Sequence, residues 1–596
     1  MQSRLFNVAL GQTPADLVIT NGQLVNVLSG EIYPGGVAIA GDRVAATGDV
    51  AYAIGEGTQV IDAGGNYIVP GFVEGHIHPE SANLTPARFA EVVLCHGTTS
   101  VFTDLHEIGV VTGMEGMEAA LREGQQTPLK YYWVVPSHVP FSPGLETSGG
   151  SINFESIAPA LERPDAVGLS EVVSQYVLLG LEDLQRSMEA TRRAHKVLAG
   201  HAPETKGPAW NAYASTGVLN DHEALDVEDV LERVRAGVHA QLRHNLIVPT
   251  LPVLLKAVTE HKADTRLMSL VTDDTTAVAL TQEGHLDYLV RLALPVLAMP
   301  HGPGAEGIPF LTAIQMVTLN AAASFRMDNE IGSLAPGRYA DLNIVTGPED
   351  FRVLKTVAGG KLVAQDGRLV EPMPIPAHEP VLLHTFHLKA PVSGSDLVIP
   401  APAGASSARV HIMRTLPWVP ITEGGDATLP VVDGHLGPDL EQDLVHIAVV
   451  ERHHATGNIG RAFIGGFGLK RGALASSIAH DNHNIVVMGV DPHDMAAAVN
   501  RVAAMEGGIA AVEGGQVLAE IRLPVCGLLT DLDAWTLAEQ REKILEVSRT
   551  LGCTVPEPFM FLSFITLAAV PAFAITDKGF VDCLQQKLIE PVESWA

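Results

Sequence analysis

Between residues 68 and 330, short apolar runs alternate with helix-like stretches. Residues 99–103 read as a strand, 113–123 as a helix and 131–135 as the next strand. This alternation is the βαβ signature of a parallel sheet. A span of roughly 250 residues is what a (β/α)8 barrel occupies, at roughly 30 residues per βα unit. The predicted fold class is therefore α/β, with a TIM-like (β/α)8 barrel over residues 68–330.

The flanks have a different texture. Residues 1–67 hold short β-rich runs punctuated by Gly22, Gly30, Gly35-Gly36 and Gly41-Asp42, which are turn signals. The same texture returns around residues 337–364. The two segments, 1–67 and 331–385, are predicted to build one small composite β-sandwich domain around the inserted barrel. The Pro-rich string Glu371-Pro-Met-Pro-Ile-Pro-Ala-His-Glu-Pro marks a boundary, and residues 386–596 read as a C-terminal α+β domain.

Composition narrows the function classes. Among 596 residues there are 46% hydrophobic residues and a net charge of −30. Such a chain has ample material for large cores. Its acidic balance excludes nucleic acid as the main partner, because phosphate contacts need Lys and Arg. Cys95, Cys526, Cys553 and Cys583 form no Cys-x-x-Cys pair, which argues against a disulfide scaffold and for a reducing compartment. No signal peptide and no spanning helix is evident, so no membrane partner is expected and a cytoplasmic location is the default. The longest apolar run, residues 559–575, contains Ser563, Thr566 and Pro571 and reads as a buried strand or helix.

The string Pro70-Gly-Phe-Val-Glu-Gly-His76-Ile-His78-Pro-Glu80 carries the sharpest chemical signal. Ile68, Val69 and Phe72 are expected to form the strand leading in. In a strand, residues i and i+2 share a face, so His76 and His78 can hold one ion together at the strand's carboxyl end. Glu171, His201, His222 and Asp273 each follow an apolar run, at intervals of 30, 21 and 51 residues. These intervals place Glu171, His201 and His222 on consecutive strands, with Asp273 two strands later. Each alone is an ordinary polar residue at a strand end; six in phase with a βα repeat point to one site. Four His, one Glu and one Asp are too many for one tetrahedral ion, whereas two ions sharing a carboxylate accommodate them. Imidazole and carboxylate without thiolate suit Zn, Mn or Fe. Two such ions supply hydroxide at neutral pH, and Asp273 is placed to take its proton and pass it to a leaving group.

The barrel framed by β segments, with Pro-Gly-Phe-Val-Glu-Gly-His-Ile-His, resembles the amidohydrolase superfamily. Further strings are similar to the bacterial adenine deaminases within it: His78-Pro-Glu-Ser, Asp104-Leu-His106-Glu107, Gly200-His-Ala-Pro, Asp221-His-Glu, Thr272-Asp-Asp and, in the last third, Val450-Glu-Arg-His453 and Ala479-His480-Asp481-Asn-His483. The resemblance covers nearly the whole chain. It implies hydrolysis of adenine to hypoxanthine and ammonia at a pair of divalent ions, Mn or Fe rather than Zn. It implies that Glu171 bridges them, with His76, His78, His201, His222 and Asp273 completing the shell. Glu80 and His106 become candidates for contacting a small-molecule purine or moving protons, and a homodimer or higher homo-oligomer is the expected assembly.

Three places depart from the family pattern. Thr275-Thr276-Ala277 stands where Arg-His-Pro is usual, Leu105 where Pro is usual, and His138 where Cys is usual. They leave a different purine or a cyclic amide as the alternative substrate. A non-catalytic paralogue predicts a lost ligand, and none is lost. The His-x-Glu and Pro-Cys-x-x-Cys signature of the zinc deaminases of nucleic-acid bases is absent. The string His480-Asp481-Asn-His483 reads as a strand-to-loop turn satisfying its own backbone, with metal binding or closure of the active site as its alternatives.

Overall fold

The structure, a computed structural model, describes residues 3–246, 248–295, 307–416, 419–568 and 572–596. Among them, eight parallel strands pair in chain order. They are β1 (Phe72–Glu74), β2 (Thr98–Thr103), β3 (Lys130–Pro136), β4 (Ala166–Val173), β5 (Val197–His201), β6 (Asn220–Asp221), β7 (His239–Arg243) and β8 (Met268–Val271). The ring is joined by a separate short ladder: Ile77–His78, just past β1, pairs in parallel with Asp273–Asp274, just past β8. Asp273 N–H also donates to the His76 carbonyl at 3.1 Å. Closing the barrel and assembling the predicted ligands are therefore one event.

The outer helices follow from amphipathic spacing. In helix Glu182–Arg193 the buried residues Leu184, Ser187, Met188 and Thr191 recur at helical intervals, giving one inward stripe. Glu182 and Asp183 open that helix and Arg192 and Arg193 close it, each complementing the helix dipole.

Segments from both sides of the barrel share one nine-stranded sheet, in which Leu342–Val345 runs antiparallel to Tyr67–Pro70. Period-2 patterning gives it two apolar faces. Leu17, Ile19, Val37 and Ile39 enter one cluster, while Val18, Ala38 and Ala40 enter another with Val8 of the N-terminal helix. The expected lead-in strand is split: Ile68 and Val69 belong to this sheet, and Phe72 opens the barrel sheet. The break falls at Gly71, where a Cβ would lie 2.2 Å from Thr99 Oγ1. The barrel sheet thus starts a few residues after position 68.

The C-terminal domain centres on a ten-stranded sheet. Along Leu444–Val450, Ile447 and Val449 face the barrel side, while Ala448 and Val450 pack under helix Pro492–Ala504. The barrel-side cluster runs without a break from Phe89, Leu94 and Trp133 to Ile447, Met488 and Phe561. Barrel and C-terminal domain are thus packed through a shared apolar core. The run 559–575 forms helix Pro558–Phe564 and strand Phe573–Thr576; residues 569–571, Pro571 among them, lie outside the described residues. Among the described residues no helix is long and apolar enough to cross a membrane.

Candidate active site

The six predicted ligands converge at the carboxyl ends of the barrel strands. Glu171 lies on β4, His201 ends β5, His222 follows β6 and Asp273 follows β8. His76 sits in a bend rather than in a regular strand, yet both histidines of the pair aim at the same carboxylates. His76 Nε2 is 3.4 Å from Glu171 Oε1 and 3.3 Å from Asp273 Oδ1. His78 Nε2 is 3.6 Å from each of the same two atoms. The other oxygen, Glu171 Oε2, is 2.6 Å from His201 Nδ1. The rings of His76 and His222 stack with centroids 3.8 Å apart. Glu171 thus turns one oxygen to the His76, His78 and Asp273 side and the other to His201.

The surrounding residues hold these groups in place. Glu74, fully buried at the end of β1, accepts from His76 N at 3.1 Å with Oε1. Its Oε2 accepts from Thr272 N at 3.1 Å and Thr272 Oγ1 at 2.8 Å, tying β1 to β8 beside the ligands. Tyr213 OH accepts from His201 N at 3.1 Å and donates to Val172 O. It can do so because residue 200 is glycine, where a Cβ would lie 2.6 Å from that hydroxyl. Asp104 Oδ1 lies 3.1 Å from His78 Nδ1, as an outer carboxylate would if this imidazole held a metal. Glu171 and Asp273 adopt φ of 51° and 60°, a left-handed conformation that costs a non-glycine residue about 1–3 kcal/mol and clusters at functional sites.

The donor set fits cations. His76 Nε2 is buried without a hydrogen-bond partner, and His201 Nδ1 faces Glu171 Oε2 at 2.6 Å. Burial opposes charge on His201, but Glu171 and Glu223 outweigh it and lift its pKa to about 10. His78 is likewise buried, and Asp104 outweighs the burial to hold its pKa well above the ordinary value. Glu223 and Asp273 share one buried cation, Arg243, whose Nη1 is 2.8 Å from Glu223 Oε1 and 2.7 Å from Asp273 Oδ2. The site therefore gathers more negative charge than Arg243 offsets.

Residues 67–363 match the amidohydrolase family and residues 420–587 the adenine deaminase C-terminal domain. An adenine deaminase of Moorella thermoacetica is 39% identical over 98% of this chain and 97% of its own length. One of Mesorhizobium japonicum is 39% identical over 98% and 95%, and adenine deaminase 4 of Rhizobium meliloti is 37% identical over 98% and 96%.

The chain belongs to the adenine deaminase family.

The remaining candidates of this adenine deaminase family member surround the ligands. Glu80 follows the His76–His78 pair and is 3% exposed. Its Oε1 accepts weakly from Ile108 N at 3.5 Å, and its Oε2 has no partner. Burial, reinforced by Asp104 and Glu107 and opposed by His78, raises its pKa to about 8. His106 opens helix His106–Gly124 after β2, and both its ring nitrogens are buried without partners. His138 stacks on Phe141 at 5.4 Å, and burial lowers its pKa to about 4. It therefore sits at the mouth as a neutral ring whose Nε2 has no partner.

One expectation is revised. His480-Asp481-Asn-His483 is a turn that satisfies part of its own backbone, His483 N donating to Ala479 O at 2.7 Å, but its two imidazoles also reach the barrel. His480 Nδ1 lies 3.1 Å from Glu107 Oε1, and His483 Nε2 is hydrogen-bonded to Glu107 Oε2. Folding brings a loop of the C-terminal domain onto a barrel residue more than 370 positions away, and the string alone carries no signal of that partner. Glu223 and Arg243 were also missed. Glu223 is adjacent to a ligand within Asp221-His-Glu and could have been found from that string; Arg243, at the end of β7, is identified only by its contacts.

Proposed function

We propose that this protein hydrolyses adenine to hypoxanthine and ammonia at two divalent ions. His76, His78, Glu171, His201, His222 and Asp273 would hold them, with Glu171 as the bridge. The observation that carries this reading is Glu171, whose two oxygens face opposite ligand groups. Bound there, the ions would acidify a water so that hydroxide is available near neutral pH. Carboxylate-rich imidazole ligation without thiolate is compatible with Mn and Fe, and we prefer these to Zn. Burial tends to neutralise Asp273, but Arg243 outweighs it and keeps the carboxylate ionised, the form that accepts a proton from the attacking water. Glu80, with its pKa near 8, carries a proton at neutral pH and offers it to a ring nitrogen. His106 provides two unpartnered nitrogens for the purine's polar edge.

The placement is purine salvage in the cytoplasm. The four cysteines are free and buried, which supports a reducing compartment. We expect a homodimer or higher homo-oligomer. His138 at the mouth, where the family pattern has Cys, favours a second reading: a different purine or a cyclic amide. After loading with Mn, the protein should release equal amounts of hypoxanthine and ammonia from adenine. Neither product appearing would overturn the deaminase reading, and ring opening of a cyclic amide would establish the second.

A further inference from the structure

The C-terminal domain touches the barrel mouth through buried polar groups. Asn83 Nδ2 donates to Leu528 O at 3.1 Å, and Asn484 Nδ2 donates to Thr147 O at 2.9 Å. The loop carrying His480 and His483 is held from behind by His453, whose Nε2 is 2.8 Å from Asn482 O. With Glu107 these two histidines form a second buried set of His and carboxylate ligand types.

Lone-pair accounting decides what that set is. Ala479 N–H donates to His483 Nδ1 at 3.2 Å. Nδ1 therefore presents its lone pair, and Nε2 carries the hydrogen that Glu107 accepts. An imidazole that ligates a cation through Nε2 has the opposite arrangement, with its N–H at Nδ1. Glu107 Oε1 accepts from His480 Nδ1, which also lies 3.3 Å from Asp481 Oδ1. Both oxygens of Glu107 are thus taken by ring N–H groups. His480 Nε2 has no hydrogen-bond partner among the described residues. Its ring lies against Glu107, the residue after His106 at the carboxyl end of β2, and packs with its centroid 4.8 Å from that of Phe564. That sets it on the strand-end side of the barrel.

We propose that His480 is a residue of the active site, delivered by the C-terminal domain and oriented by Glu107 and His483, with its Nε2 edge turned to the purine. The proposal rests on the deaminase reading for its substrate. Burial opposes charge on His480, but two carboxylates, Glu107 at 3.1 Å and Asp481 at 3.3 Å, face its Nδ1 and favour the charged form, the form in which Nε2 donates. In the reaction the water oxygen bonds to C6 and the C6–N6 bond breaks. Ammonia leaves with one proton of that water, and the other replaces the proton that Glu80 gives to the ring nitrogen. Negative charge develops on the ring nitrogens as the oxygen adds. The Nε2–H of His480 donates a hydrogen bond to that charge and keeps its proton, so the balance closes without it.

The test compares full-length, Mn-loaded His480→Ala and His480→Gln with wild type. Both should keep the wild-type metal content and lose roughly 100–1,000-fold in kcat/KM, mostly in kcat. Free imidazole should restore part of the His480→Ala rate and none of the His480→Gln rate, because Gln fills the space. A structural role would not respond to imidazole. His483→Gln should lower kcat without rescue, as a positioning residue. Wild-type kcat/KM in either His480 variant would overturn the proposal. So would loss of one metal equivalent per chain, which would make the cluster a ligand set. If His480→Ala fails to fold, His480→Gln decides alone on kcat/KM at unchanged metal content. The ratios are read on whichever substrate the wild type turns over: adenine inert with the wild type sinks the deaminase reading and leaves the His480 ratio to be measured on the other substrate.

Discussion

Two buried clusters in this protein use the same side-chain types and do opposite things with them. Around Glu171, ring nitrogens point at carboxylate oxygens, and His76 Nε2 is left without a hydrogen-bond partner. Around Glu107, both ring nitrogens that face the carboxylate are hydrogen-bonded to it, and a backbone N–H fixes the tautomer of His483. Residue type does not make a metal site. What makes one is a surplus of lone pairs and negative charge that the protein does not itself satisfy.

The largest test of this contrast substitutes both carboxylates. Glu171→Gln should strip metal and reduce activity by more than the roughly 100-fold that loss of an outer partner costs; elemental analysis and turnover read it. Glu107→Gln should leave the metal content at the wild-type level, and a lost equivalent there would erase the distinction.

A smaller effect tests the outer support of the proposed metal cluster. Asp104→Ala removes the acceptor from His78 Nδ1. Metal affinity should fall roughly 10–100-fold, measured by titrating metal into the apoprotein. An unchanged affinity would mean that His78 needs no orienting carboxylate.

The smallest effect comes from a third His–carboxylate contact, nearer the surface. His378 lies 2.9 Å from Asp531 of the C-terminal domain and 3.0 Å from Glu123 of the barrel. Asp531 first, then Glu123, raises its pKa to about 10. The folded value lies above the unfolded one of about 6.5. The stabilisation is therefore fully present below about pH 6.5 and is lost as pH rises through about 10. The Tm gap between wild type and His378→Gln should be about 2–4 °C at pH 6 and close towards pH 10. A gap that widens with pH would reverse the assignment.

Much of the fold was legible because its signals are local. Strand-end position, apolar run and βα spacing predict Glu171, His201, His222 and Asp273 without knowledge of any neighbour. The His76–His78 pair was legible for the same reason, although the bend at Gly75 and His76 is not the regular strand expected. The Glu107–His483 contact was not legible. Nothing near residue 480 records that its partner lies at residue 107, since that distance is closed only when the C-terminal sheet docks on the barrel. Arg243 was hidden likewise, because an arginine at a strand end gives no sign that it will be buried between Glu223 and Asp273.

The sequence by itself determined the barrel, its framing sheet and the chemical type of the ligand set, because periodicity and strand-end placement are properties of short segments. Only the tertiary structure decided which lone pairs are satisfied. The ring closure through Ile77–His78 and Asp273–Asp274 brings the ligands within a few ångströms of one another. Docking of the C-terminal domain sets His480 and His483 against Glu107. Both depend on contacts between residues about 200 or more positions apart, and such contacts form only when burial of apolar surface offsets the entropy of closing long loops.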